Sequence, residues 1–325
     1  MKDHGCLIFD DIPQCINYTT LGDKQQKAMS IIMAHYHSNQ NGVPLFMIIQ
    51  RIAGTGKSYL IVAISQALQN VAMPCRSPLL FLAPIGVVAF NIGASTIHSK
   101  LRIPVREFCP LEGTRLTSFQ EEMIHIKYIL IDEMSFIGQN MLENIDSWLR
   151  QAFPQNANIS FAGISIILVG DLGQLSPVSD RSTYDSNRRA KLLWEEFKTM
   201  VTLDGIFRKD GENIQQQRFH QHLTNIRDAN PIIDDWKLLM MRIPINLNVA
   251  TNEEFENVFH LFSTNDNIHN HNKRMLYSLR HPVARSVATK VGSVNVIEDC
   301  SNDELDLELL ISNNSRVMLT SNLWT

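Results

Sequence analysis

Short apolar runs alternate with segments of helical spacing along the first part of the chain. Apolar runs that predict buried strands stand at 44–49, 79–83, 128–132 and 164–170, and amphipathic segments that predict helices stand at 21–40, 57–68, 86–93 and 141–153. Uninterrupted apolar runs of this length are typical of parallel strands that are buried on both faces. Because strand and helix alternate, the pattern predicts right-handed βαβ units and an α/β fold with a mostly parallel sheet covered by helices.

A change of pattern near residue 201 predicts a first domain over 1–200 and a second domain over 201–325. In the second region the pattern predicts helices at 214–227, 232–242 and 266–279 and strands at 258–263 and 315–321. A chain of 325 residues has room for two cores of ordinary size. Since the last strand runs into the end of the sequence, the second domain is predicted to be incomplete.

Composition narrows the class of protein. The hydrophobic content of 44% is that of a globular chain, and no apolar run reaches the roughly 18 residues that cross a bilayer. The start has no signal pattern and the five cysteines have no CxxC spacing, so we expect an intracellular protein with reduced thiols. A net charge of −4 argues against a protein that coats nucleic acid, but it allows a motor that grips a strand locally.

The segment after the first predicted strand is a glycine loop, Ala53-Gly54-Thr55-Gly56-Lys57-Ser58. Backbone N–H groups of such a loop can surround phosphates at a helix N-terminus. Lys57 is predicted to reach the β and γ phosphates of a nucleotide, and the Ser58 hydroxyl to ligate Mg²⁺. Arg51 stands where the pattern GxxxxGK[ST] has its first glycine, and a left-handed backbone there would cost about 1–2 kcal/mol. The alternative is a helix start that happens to carry Gly-Lys-Ser.

Two more polar loops follow predicted strands. Asp132 is predicted to hold Mg²⁺ and Glu133 to orient or deprotonate the attacking water, although an acidic pair can also cap a helix. Gln174 lies on a loop kept irregular by Gly173 and Pro177, where its amide can touch the terminal phosphate and the water. Its alternative role is a turn residue that bonds its own loop. Together the three loops predict hydrolysis of a nucleoside triphosphate.

The sequence around these loops resembles the Pif-one (petite integration frequency) family of superfamily-one DNA helicases. The likeness extends along nearly the whole chain, in segments at 21–25, 83–99, 141–163, 170–178, 206–209 and 316–324. It implies a P-loop NTPase whose first domain is RecA-like, with helices on both faces of a parallel sheet, followed by a second, incomplete RecA-like domain. The implied cofactors are ATP and Mg²⁺, and the implied partner is single-stranded DNA or a DNA junction.

The resemblance also implies roles for individual residues. The first segment is similar to the family's Q motif, so Gln25 is implied to read the adenine. The segment 206–209 resembles the motif whose arginine inserts toward the γ phosphate, so Arg208 is implied to be catalytic rather than a solvated surface charge. The segment 83–99 is similar to the family's "APTGVAAFNI-G-TIHS" sequence, which lies against single-stranded DNA. The implied DNA contacts are Pro84, Gly86, Thr96, His98 and Ser99, of which the histidine has the alternative of a core residue.

Some positions depart from the family's pattern. Arg51 replaces a glycine, Ile85 replaces the threonine of APTG, Ser160 replaces the proline of PFGG, and Gly173 replaces a polar residue. The family's "VNG" segment, SH3-like insertion and closing motif have no counterpart in this sequence. One hypothesis is a diverged or relic copy of the kind carried by Helitron-type transposons.

The leading hypothesis for function is an ATP-dependent DNA helicase. The resemblance implies 5′-to-3′ translocation on single strands and a nuclear role in DNA repair, recombination and telomere maintenance. The alternative is a truncated, non-unwinding module that binds DNA in a nucleotide-dependent manner or regulates other proteins. A P-loop kinase or metabolic ATPase fits the glycine loop but leaves Thr96-Ile-His98 and Phe207-Arg208 unexplained. The sequence leaves the oligomeric state open.

Overall fold

A computed structural model describes residues 18–38, 42–51, 56–91, 93–104, 110–184, 189–203, 214–247, 255, 258–287 and 308–317. The strands are β1 (Phe46–Arg51), β2 (Leu79–Ala83), β3 (Ser95–Thr96), β4 (Tyr128–Ile131), β5 (Ser165–Gly170), β6 (Thr199–Leu203), β7 (Val283–Val287) and β8 (Glu308–Ser312). The helices are α1 (Asp23–Ser38), α2 (Lys57–Ala72), α3 (Gly86–Asn91), α4 (Ile97–Leu101), α5 (Gly113–Met123), α6 (Gln139–Ala152), α7 (Arg189–Glu195), α8 (Ile214–Arg227), α9 (Ile233–Met240) and α10 (Asn265–Ser278). Contacts divide the chain into two compact units, Met1–Lys237 and Leu238–Thr325.

Six parallel strands form the sheet of the first unit, in the order β3-β2-β4-β5-β1-β6. Side chains along β5 alternate between two cores, because successive residues of a strand point to opposite faces. Ile166 and Leu168 pack in the cluster that contains α5 and α6, whereas Ile167 and Val169 pack in the cluster that contains α1 and α2. The predicted parallel sheet with helices on both faces is therefore confirmed.

The strand order decides where the three polar loops lie. Strands β4, β5 and β1 are direct neighbours, and each is followed by one of these loops. Since the carboxyl ends of parallel strands meet at one edge of a sheet, the glycine loop, the acidic pair and the Gln174 loop share that edge. The fold thus assembles the predicted site from segments that are far apart in sequence.

Strand β6 was not predicted from the sequence, and it matters for the domain division. It pairs with β1 at the edge of the sheet, with Ile49 opposite Val201. The predicted boundary at residue 200 therefore falls inside a strand of the first sheet, whereas the compact units divide after Lys237. The interpretation of the second unit as a partial RecA-like domain stays a prediction.

In the second unit, β7 and β8 form an antiparallel pair, and Arg285 Nε donates to Glu308 Oε1 at 2.7 Å across it. The predicted strand at 258–263 is wrong, because these six residues are irregular, with Leu261 98% exposed. Of the predicted strand at 315–321, the described residues 315–317 are irregular. Among the described residues, none of the helices has the length and apolar character needed to span a membrane.

Candidate functional site

The glycine loop leads from β1 into α2. Gly56 caps the helix with a left-handed backbone (φ 71°, ψ 31°), which glycine adopts without steric cost. Lys57 and Ser58 open the helix, where the first N–H groups have no intrahelical acceptor and favour an anion. Arg51 ends β1 in extended conformation opposite Leu203, so the cost considered for a left-handed arginine does not apply. Ala53, Gly54 and Thr55 lie outside the described residues, and their role stays a prediction.

Lys57 joins the glycine loop to the acidic pair. Its Nζ lies 2.6 Å from Asp132 Oδ1 and 2.7 Å from Glu133 Oε1, and all three side chains are largely buried. Burial raises the pKa of Asp132, and the ammonium of Lys57 opposes that rise. One cation faces two carboxylates, so the cluster in its ionised form keeps a net negative charge that suits a divalent cation.

The acidic pair also meets the chemical requirements of Mg²⁺. Asp132 is fully buried, and its Oδ1 accepts the Glu133 N–H at 2.8 Å. Its Oδ2 is buried without a hydrogen-bond partner among the described residues. Mg²⁺ binds hard oxygen ligands such as carboxylates and hydroxyls. The next residue after Lys57 is Ser58, whose hydroxyl is a second candidate ligand. The residues present therefore fit the ion.

Glu133 sits in a turn that the sequence did not predict in detail. Its backbone is left-handed (φ 52°, ψ 54°), a conformation that costs a non-glycine residue roughly 1–2 kcal/mol. The turn packs on Gly170 at the end of β5, where an added Cβ would lie 2.7 Å from the Met134 backbone nitrogen. Gly170 therefore supports the turn of Glu133, a role that its place in the sequence did not reveal.

We expect Gly170→Ala to lower the kcat of ATP hydrolysis by about 10–100-fold. The added Cβ would clash with the Met134 backbone, which cannot rotate away as a side chain can, so the turn that carries Glu133 must shift. Steady-state turnover measures the effect. Gly42→Ala is the matched control, since Gly42 has a φ of 67° but nothing within 4 Å of an added Cβ. Equal turnover in Gly170→Ala and the unsubstituted chain would show that the close approach does not position Glu133.

Gln174 lies on the loop after β5, next to the acidic turn. Its backbone N–H donates to the Asp171 carbonyl at 3.1 Å, and its side chain is exposed. Gln174 lines a small cavity together with Met134 and Ser135, which follow Glu133 directly. The structure thus brings the loop of Gln174 to the turn of Glu133, as the shared edge of the sheet requires.

Asp171 at the base of this loop makes contacts that the sequence did not predict. It is only 2% exposed and accepts bonds from the Gln50 side chain at 3.1 Å and the Gly173 N–H at 2.9 Å. Arg227 at the end of α8 donates Nη2 to Oδ1 at 2.7 Å and Nε to Oδ2 at 3.0 Å. The hydrogen bonds to Asp171 raise the pKa of Arg227. The sequence shows only that Arg227 lies in the last turn of a predicted helix, and this position does not indicate which carboxylate the arginine contacts.

Gln25 connects the Q-motif segment to the glycine loop. Its side chain is buried, and its Nε2 donates to the Gly56 carbonyl at 3.1 Å. Its Oε1 accepts the Gly22 N–H at 3.0 Å, which closes the turn before α1. The structure therefore places Gln25 against the cap of α2, and adenine reading by this amide stays a prediction.

The five predicted DNA contacts lie at the ends of two neighbouring strands. Ala83 of β2 is opposite Thr96 of β3, so the segments that follow both strands share an edge. The Thr96 hydroxyl oxygen accepts the Ser99 N–H at 3.2 Å as the N-cap of α4, which leaves its hydrogen free to donate. His98 is half-buried, and burial lowers its pKa, which favours the neutral ring for stacking or hydrogen bonding. The placements are Pro84 after β2, Gly86 at the start of α3, Thr96 in β3, and His98 and Ser99 in α4.

We expect Thr96→Val to raise the Kd for single-stranded DNA about fivefold, the equivalent of one ordinary hydrogen bond of about 1 kcal/mol. The methyl group removes both the phosphate donor and the cap of α4. Fluorescence anisotropy with labelled oligonucleotide measures the change, and Thr96→Ser, which keeps the hydroxyl, should bind normally. Weak binding by the serine variant as well would contradict a hydroxyl contact.

The helix α6 and the turn Ser160–Gly163 pack against each other within the part of the chain where the segment 141–163 resembles the family. Phe161 and Ala162 both have left-handed backbones (φ 53° and 52°) and are fully buried. Asp146 on α6, itself fully buried, accepts the Phe161 N–H at 2.7 Å and Arg150 Nε at 2.8 Å and pairs with Arg189. The carboxylate therefore holds a strained turn in place just before the start of β5.

Arg208, the predicted γ-phosphate arginine, lies outside the described residues, as does the whole segment 206–209. Its neighbours in sequence are β6 and α8, which flank the segment 204–213. The catalytic role of Arg208 stays a prediction.

Comparison with known proteins agrees with this geometry. Residues 20–234 match the model of the family described as PIF1-like helicase. The ATP-dependent DNA helicase PIF4 of Trypanosoma brucei brucei is 29% identical over 171 residues, which cover 50% of this chain and 19% of that protein. This chain thus spans about a fifth of the length of that relative.

Two solved structures have the same fold. The crystal structure of Pif1 helicase from Candida albicans gives a TM-score of 0.65 at 22% identity, over 90% of this chain and 63% of that chain. The Pif1 helicase from Bacteroides in complex with ADP-AlF3 and ssDNA gives a TM-score of 0.57 at 22% identity, over 89% of this chain and 63% of that one. These likenesses confirm the predicted RecA-like P-loop NTPase fold.

Proposed function

The chain belongs to the PIF1-like helicase family, and from this premise we propose that it hydrolyses ATP with Mg²⁺ and couples the hydrolysis to movement along single-stranded DNA. The observation that carries the proposal is the cluster in which Lys57 Nζ lies 2.6 Å from Asp132 and 2.7 Å from Glu133. The cluster brings together the three groups that ATP hydrolysis needs. Lys57 is the cation for the phosphates, Asp132 the carboxylate for the metal ion, and Glu133 the carboxylate for the attacking water.

Binding of ATP rearranges this cluster. The γ phosphate attracts the Lys57 ammonium, which then leaves the carboxylates and steadies charge on the phosphates. Asp132 and Ser58 would hold Mg²⁺, which supplies positive charge that offsets the charge developing on the phosphates. Glu133, released from Lys57, can then orient the attacking water and accept its proton. Gln174, on the adjacent loop, would contact the same water or the γ phosphate.

The proposed coupling to DNA uses the carboxyl edge of β2 and β3. Thr96, the last residue of β3, offers a hydroxyl donor that suits phosphate contact, and His98 in α4 offers a ring that suits stacking and whose pKa is lowered by burial. The relative from Trypanosoma brucei brucei is named an ATP-dependent DNA helicase, and the Bacteroides structure contains ssDNA, which supports the choice of substrate. The 5′-to-3′ direction, the nuclear location and the roles in repair, recombination and telomere maintenance are part of the proposal.

Strand displacement tests the proposal. A duplex with a 5′ single-stranded tail should be unwound in the presence of ATP and Mg²⁺, and a duplex with a 3′ tail should not. The Lys57→Ala variant should unwind neither duplex. Unwinding only from the 3′ tail would overturn the direction, and ATP-dependent DNA binding without unwinding would favour the non-unwinding module.

A further inference from the structure

The ion pair between α8 and the Gln174 loop points to a residue beyond the predicted site. We infer that Arg227 is a positioning residue for ATP hydrolysis, which holds the Asp171 carboxylate and thereby the loop that carries Gln174. The inference rests on the proposed ATP hydrolysis and adds an element that its three loops do not contain. Arg227 acts through Asp171 and does not touch the nucleotide.

The first step of the argument is the position of Asp171 as a shared acceptor. Gln50 reaches it from β1, the strand that leads into the glycine loop, at 3.1 Å. The Gly173 N–H reaches it from within the loop at 2.9 Å, one residue before Gln174. The Asp171 carboxylate therefore ties the Gln174 loop to β1. A residue that orients this carboxylate consequently orients the loop relative to β1.

The second step is that Arg227 supplies the charge that Asp171 needs. A buried carboxylate is costly without a cation, and a guanidinium can satisfy both its oxygens at once. Nη2 and Nε do so at 2.7 and 3.0 Å. The loop comes so close to this side chain that a Cβ at Gly173 would lie 3.0 Å from Arg227 Nε. Gly173, a departure from the family's pattern, thus leaves room for the guanidinium.

The third step concerns α8 itself. Its apolar residues Phe219, Leu223 and Ile226 are 51%, 44% and 44% exposed, so burial of an apolar face does not fix this helix. The ion pair consequently carries a larger share of its attachment to the sheet.

Arg227→Ala should lower kcat by about 10–100-fold, the effect of a small displacement of a catalytic group, and leave the Kd of a fluorescent ADP analogue unchanged. Arg227→Lys keeps the charge but not the bidentate geometry and should restore part of the rate. Arg218→Ala is the matched control, because Arg218 is an exposed residue on the same helix.

Two double variants separate positioning from a general structural effect. Arg227→Ala should cause no further loss of kcat in a Gln174→Ala background, since the residue acts through Gln174. Gly173→Ala should lower kcat less in Arg227→Ala than in the unsubstituted chain, because the guanidinium 3.0 Å from the added Cβ is gone and the approach of 3.3 Å to Asp171 Oδ1 remains. Losses that multiply in both pairs would overturn the inference.

Hydrogen–deuterium exchange of the amides in 171–176 provides a readout that does not need turnover. Exchange should be faster in Arg227→Ala than in Arg218→Ala, because the Gly173 N–H donates to the Asp171 carboxylate that Arg227 holds and the Gln174 N–H donates to the backbone carbonyl of the same residue. Unchanged exchange in this loop would overturn the inference. If the unsubstituted chain does not hydrolyse ATP, the proposed function fails, and the exchange result still decides the role of Arg227.

Discussion

Glu133→Gln is expected to lower the kcat of ATP hydrolysis by roughly 10²–10⁴-fold, the usual contribution of a residue that accepts a proton from the attacking water. The amide has nearly the same shape as the carboxylate, but it is a far weaker base. Binding of ATP should persist, because Lys57 and the start of α2 remain intact. Single-turnover hydrolysis and the Kd of a fluorescent ATP analogue measure the two effects separately.

The matched control for this variant is Glu121→Gln, an exposed glutamate on α5. It should hydrolyse ATP at the rate of the unsubstituted chain. Normal turnover in Glu133→Gln would remove Glu133 from the mechanism. Loss of both binding and turnover would indicate that Glu133 acts by holding Lys57 at its 2.7 Å contact instead.

Asp146→Ala is expected to reduce the free energy of unfolding by about 2 kcal/mol, because a buried backbone donor is left without its acceptor and two partly exposed arginines lose their shared partner. The Phe161 N–H loses the acceptor that lies 2.7 Å away, and Arg150 and Arg189 lose their shared carboxylate. The two left-handed residues then lose the hydrogen bond that ties them to α6. Chemical denaturation followed by tryptophan fluorescence, to which the fully buried Trp148 on α6 contributes, measures the loss.

Asp234→Ala is the control for stability, since the Asp234–Lys237 pair is largely exposed and such pairs contribute about 0–1 kcal/mol. Asp146→Asn, which keeps an acceptor for Phe161 but not the charge, should fall between the two. Equal denaturation midpoints for Asp146→Ala and Asp234→Ala would contradict the structural role of the Asp146 carboxylate.

The sequence predicted those elements whose formation depends on residues close together in the chain. A buried parallel strand needs an uninterrupted apolar run, and β1, β2, β4 and β5 were predicted from such runs. Strand β6 was missed because Met200 and Thr202 on it are exposed, so its sequence lacks the continuous apolar run of a central strand. The run at 258–263 was wrongly predicted to be a strand, because it is apolar but irregular. Apolar character alone does not make a segment a strand of a sheet.

The candidate site divides in the same way. Lys57, Asp132 and Glu133 each follow a strand, and the order of strands brought them together as the pattern predicted. The contacts of Asp171 with Gln50 and Arg227 join residues 121 and 56 positions apart, and no local pattern specifies such pairs. The close approach at Gly170 is likewise visible only once the Glu133 turn is folded against it. The functional hypothesis could be drawn from loops at strand ends, whereas the residues that hold those loops became visible only in the structure.

The central claim is that one site hydrolyses ATP and responds to single-stranded DNA. Steady-state ATP hydrolysis by the chain, with and without single-stranded DNA, tests it most directly, with Lys57→Ala and the exposed Lys198→Ala measured alongside. We predict hydrolysis that rises with DNA, is unchanged in Lys198→Ala and is lost in Lys57→Ala. Hydrolysis that survives in Lys57→Ala, or that is absent from the unsubstituted chain, would contradict the account.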